Sequence, residues 1–104
     1  MNILFTKSEY YGTPRIVIVC GFTALEIHRY QIVKGNSCSY HCTISHFRSD
    51  DIDSVSTGSG YSIEEMWEDL SDYVFTKGQK YKDEIELEQY IVNNFAVLKE
   101  HLNT

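Results

Sequence analysis

Cys38, His41, Cys42 and His46 are residue types that hold zinc or move protons, and their Cys-x2-His-Cys-x3-His spacing invites comparison with a metal site. Structural zinc needs four ligands at about 2.0–2.3 Å from one ion, usually gathered by turns or a helix. This segment alternates instead. Cys38, Tyr40, Cys42 and Ile44 fall in one phase and Ser39, His41, Thr43 and Ser45 in the other, the pattern of a strand with one buried and one wet face. At a rise of about 3.3 Å per residue, Cys38 and His46 stand roughly 26 Å apart and His41 points away from Cys42. No metal-ligand set is expected. The same rise separates Cys38 from Cys42 by roughly 13 Å, too far for a mutual disulfide, although either could meet Cys20 across a sheet. The odd total of three cysteines agrees with a reducing compartment, and free, mostly buried thiols are expected.

His28, His41 and His46 raise a second chemistry, because two imidazoles in opposite protonation states can transfer protons in phosphoester cleavage. Such a site must also attract phosphate, and the supporting Lys and Arg are few. A nucleophile fares no better: there is no Gly-x-Ser-x-Gly elbow, and Thr57-Gly58-Ser59-Gly60 lacks the lysine of a phosphate-cradling loop. No catalytic and no cofactor-binding residues are expected.

Carboxylates form the remaining constellation. The net charge is −6, but residues 1–49 hold five basic and two acidic residues, whereas residues 50–104 hold four basic and thirteen acidic. The negative field belongs to the second half. It disfavours binding to phosphate backbones, which relies on Lys and Arg displacing counterions, and favours a basic protein partner. Asp50, Asp51 and Asp53 precede Glu64, Glu65, Glu68, Asp69 and Asp72, with no Lys or Arg between Asp50 and Asp72 to mix the signs. Such a run is often only a solvated surface. Tyr61 beside it supplies an apolar anchor, and together these residues are the candidate partner-binding set.

The elements that must position them can be read from periodicity. Ser62 to Phe75 places Ile63, Met66, Trp67, Leu70, Tyr73 and Val74 on one helical stripe, opened by a Ser62/Glu65 capping box. Trp67→Ala is expected to cost roughly 3–5 kcal/mol. A second helix is predicted from a capping box at Asp83/Glu86 through Leu87, Ile91, Phe95, Leu98 and Leu102. Upstream, Asn2–Tyr11, Arg15–Cys20, Ala24–Val33 and Cys38–Phe47 read as strands, with the β-branched run Ile16-Val17-Ile18-Val19 expected in the middle of the sheet and covered on both faces. Residues 48–61 read as an exposed Ser/Asp/Gly connection carrying a weak strand pattern through Ile52 and Val55. The expected architecture is one α+β domain over residues 1–104, a four-stranded, mainly antiparallel sheet (β-β-β-β-α-α) with two C-terminal helices on one face. No secretory start and no bilayer-length apolar segment is present, so a cytoplasmic monomer without membrane or nucleic-acid partners is expected.

In size, acidity, missing catalytic apparatus and the stretch Gly60-Tyr61-Ser62-Ile63-Glu64-Glu65-Met66-Trp67-Glu68-Asp69-Leu70, the chain resembles the small immunity proteins that bacteria make against toxins of contact-dependent growth inhibition and related polymorphic toxin systems. The resemblance implies a protein that binds one cognate toxin domain, often a basic nuclease, and occludes its active site or substrate groove. Two alternatives stand beside it: a phage-type inhibitor that mimics nucleic-acid charge against a host enzyme, and a small histidine-dependent hydrolase.

Overall fold

The computed structural model describes residues 1–8, 12–31, 38–46, 55–74 and 81–103. Within them the chain runs β1 (Asn2–Lys7), β2 (Pro14–Cys20), β3 (Thr23–Gln31), β4 (Cys38–His46), β5 (Val55–Gly60), α1 (Ile63–Val74), α2 (Lys82–Asn93) and α3 (Phe95–Leu102). The strands form one antiparallel meander in sequence order, β1-β2-β3-β4-β5. An α+β fold with an antiparallel sheet is therefore present, with a fifth strand and a third helix beyond the expected pattern. Among the described residues no helix is long and apolar enough to cross a membrane.

Register explains the core. Ile16 and Ile18 of β2 lie opposite Ile27 and Leu25 of β3, which lie opposite Cys42 and Ile44 of β4. With Tyr40 these residues line one sheet face, and Ile63, Met66, Leu70, Leu87, Ile91, Leu98 and Leu102 of the helices close over them. The alternate phase, Val17, Glu26, His28, His41 and Thr43, lies on the other face, which no described element covers. The run Ile16–Val19 is thus buried on one side only: Ile16 and Ile18 are fully buried, while Val19 is 37% exposed. β2 is also second in the sheet, not its middle, because β1 and the three later strands flank it unequally.

The β2–β3 connection is a two-residue turn in which Gly21 takes φ +60. Glycine first in such a turn follows the right-handed twist of the strands. Phe22 N–H then donates to Asp83 Oδ2 (3.0 Å), and Cys20 Sγ donates to Glu86 Oε2 (3.5 Å). These are the two carboxylates expected to form a capping box. They reach across to the sheet instead, and α2 starts at Tyr81 without a side-chain cap. Glu84, in the first turn of α2, is buried.

The predicted second helix breaks at Asn94. Its side-chain amide donates to the Tyr90 carbonyl (2.9 Å), the same oxygen that takes its backbone N–H (3.0 Å). An Asn that satisfies the preceding turn from its side chain competes with helix continuation. The end of α3 is held by β3 and β4: Arg29 Nη1 donates to the Leu102 carbonyl (2.9 Å) and Tyr40 Oη donates to Asn103 Oδ1 (3.0 Å). A guanidinium there also complements the negative end of the helix dipole.

Candidate functional site

The acidic face is built where α1 lies on β5. Gly58 and Gly60 alternate toward the helix, and a Cβ on either would sit 2.7 Å from a backbone nitrogen of α1, that of Leu70 or of Met66. These glycines are therefore needed for close approach. Neither carries a positive φ, and the segment expected as an exposed connection is a strand from Val55 onward.

That contact sorts the carboxylates into two rows. Along one flank, Glu65 Oε2 accepts Tyr61 N–H (3.1 Å) and Asp69 Oδ2 accepts Ser59 N–H (3.0 Å). Both donors belong to the outer edge of the sheet. Ser62 Oγ accepts Glu65 N–H (3.1 Å), so half the capping box forms as expected and its carboxylate half moves one residue back, to Tyr61. Along the other flank, Glu64 pairs with Lys99 of α3 and Glu68 has no partner among the described residues. The Lys99 hydrogen bond holds the Glu64 carboxyl below its ordinary range. Tyr61, at the head of the helix, is 74% exposed.

Of the expected partner-binding residues, the fold gathers Tyr61, Glu64, Glu65, Glu68 and Asp69 at the head and two flanks of one helix. Asp72 lies in the same helix. Asp50, Asp51 and Asp53 lie outside the described residues. Among the described residues of this set, Glu64 alone is neutralised by a cation. Glu65 and Asp69 are bonded to backbone N–H groups, which fixes their geometry but leaves their charge.

A second constellation occupies the open sheet face. Arg15 Nη2 donates to Glu26 Oε1 (2.7 Å), and His28 Nε2 lies 3.1 Å from Glu26 Oε2. The Tyr30 ring stacks beside His28 at 5.9 Å and meets His41 edge-on at 5.0 Å, while His41 Nε2 lies 3.2 Å from Ser39 Oγ. Burial alone would raise the Glu26 carboxyl, but the hydrogen bonds from His28 and Arg15 outweigh it and hold it below its usual range. Two shallow clefts flank His41. One of about 480 Å³ is walled by Tyr30, Thr43, Thr57 and Ser59, and one of about 470 Å³ runs to Tyr61 and Glu65. Alternation in the sequence already sets Glu26, His28 and Tyr30 on one side of their strand, but only the register brings His28 opposite His41.

Cys20 and Cys42 are free thiols buried on the helix side. Burial pushes the Cys42 thiol up to about 12, and burial together with the Glu86 hydrogen bond raises Cys20. Cys42 and His41 face opposite sides of β4, and no cluster of metal-ligating groups occurs among the described residues. Comparison with protein-family models, with curated proteins and with solved structures gives no match.

Proposed function

We propose that the chain is a binding protein that neutralises a cationic protein partner, in the manner of the immunity proteins it resembles, by laying the α1 ridge into the partner's active site or substrate groove. One observation carries this reading: Glu65 and Asp69 are fixed by backbone donors, not by Lys or Arg, so the ridge is rigid and keeps its negative charge. Preorganised charge steers encounter and fixes orientation. Glu68 extends the ridge along the helix, Asp72 is added from the sequence, Tyr61 supplies the apolar anchor, and Glu64 joins by exchanging Lys99 for a group of the partner. Asp50, Asp51 and Asp53 enter the partner-binding set from the sequence alone. A basic nuclease fits best, since the carboxylates then stand where substrate phosphates would lie. No turnover is required of the chain.

Co-expression with a candidate basic toxin domain, sought among the genes that neighbour this one, tests the proposal. Wild type restores growth, and Glu68→Lys combined with Tyr61→Ala loses that protection while the fold is retained. Full protection by the double variant would contradict it. The His28–Tyr30–His41 row carries a second reading, the histidine-dependent hydrolase. On the binding reading His41→Ala still protects, whereas loss of a phosphoesterase activity in His41→Ala would favour the enzyme. An inhibitor of a host nucleic-acid enzyme uses the same ridge and is distinguished by the identity of the cationic partner.

A further inference from the structure

The two outer strands of the sheet are finished differently. On β5, the outward N–H groups of Ser59 and Tyr61 are taken up by Asp69 and Glu65. Just past β1, Ser8 N–H donates to the Thr13 carbonyl at 2.8 Å. The alternation of an antiparallel ladder therefore turns the backbone groups of Asn2, Leu4 and Thr6 toward β2, and those of Ile3, Phe5 and Lys7 outward. No described residue pairs with that outer edge. At its middle Leu4 is 57% and Phe5 42% exposed. An open edge with apolar side chains is a template for another strand.

We propose that β1 pairs antiparallel with β1 of a second copy of this chain, making a two-fold dimer with one sheet running through both copies. The strand is self-complementary in one register. Centred on Leu4, it places Leu4 against its counterpart on the open face, Ile3 against Phe5 on the helix face, and Asn2 against Thr6 outside them. The outward groups of Ile3 and Phe5 then exchange about four backbone hydrogen bonds. Lys7, the charge that would guard such an edge, falls opposite Met1 beyond the apolar pairs. Centring on Phe5 instead would set Ile3 against Lys7 and Leu4 against Thr6, mixing apolar with polar.

Charge placement favours the same partner. α1 lies against β5, at the far end of the sheet from β1. At about 4.8 Å per strand, the two acidic ridges of such a dimer stand roughly 40 Å apart. That is about five Debye lengths at physiological ionic strength, so their repulsion is screened. Both ridges stay open, and the dimer presents two docking sites. This inference departs from the monomer expected from the sequence and does not depend on what the ridges bind.

Sedimentation equilibrium tests it. Wild type is expected at twice the 12.1 kDa chain mass. Leu4→Lys and Leu4→Glu each set like charges face to face and are expected at the single-chain mass with unchanged far-ultraviolet circular dichroism. Their equimolar mixture is expected to recover the dimer. Amide exchange on wild type adds a readout independent of folding of the variants: Ile3, Phe5 and Lys7 are protected in the dimer. A wild type at single-chain mass, free exchange of those three amides, or two variants that both remain dimeric would overturn the proposal.

Discussion

Gly58 and Gly60 decide whether α1 can lie where it does. Gly58→Ala drives a methyl into the Leu70 backbone, which must shift, and a loss of about 1–3 kcal/mol is expected in urea unfolding. Glu26 sets an acid-dependent term. Its folded pKa is depressed below the ordinary 4.5, so its contribution is present in full above that value and is lost as pH falls through the folded value. Because its side chain is 41% exposed, the effect is modest, and Glu26→Gln is expected to flatten the stability profile only below about pH 4.5. Cys20 and Cys42, buried with raised thiols, are expected to resist iodoacetamide in the folded protein and to alkylate after denaturation, as mass spectrometry would show. At this scale the sequence located the acidic residues of α1 but not their bonds. A carboxylate facing solvent and one reaching the edge of β5 have the same helical spacing, and only the neighbouring strand distinguishes them.

Among the elements, β3, β4 and α1 were legible because each is long enough for its period to show, and Cys38–His46 alternates without interruption. β5 was not. Val55-Ser-Thr-Gly-Ser-Gly60 has the composition of a loop, and its strand state comes from pairing with β4 and from the helix pressing on its glycines. The break between α2 and α3 was hidden for a related reason: the apolar stripe runs through Asn94, and the side-chain bond to Tyr90 that interrupts the helix leaves that stripe intact. The stripe of α1 also shifts in weight. Among its described side chains, Ile63, Met66 and Leu70 are buried, whereas Trp67 is half-buried at the margin. Leu70→Ala is accordingly expected to cost about 2–5 kcal/mol and to exceed the loss from Trp67→Ala in paired thermal melts.

Across the whole molecule, the sheet separates charge as well as space. One end carries β1, whose outer edge no described residue pairs, and the other carries β5, where the N–H groups of Ser59 and of Tyr61 just past the strand are capped by acids of α1. The imbalance between residues 1–49 and 50–104 was visible in the sequence, but its distribution across the sheet needed the topology. We propose α1 as the surface that a cationic partner meets, and the association rate with a toxin domain that the chain protects against is the most direct test of it. Glu68→Lys with Asp72→Lys is expected to slow association roughly tenfold or more at low salt and to flatten its dependence on ionic strength. An association rate and salt slope equal to those of wild type would contradict the account.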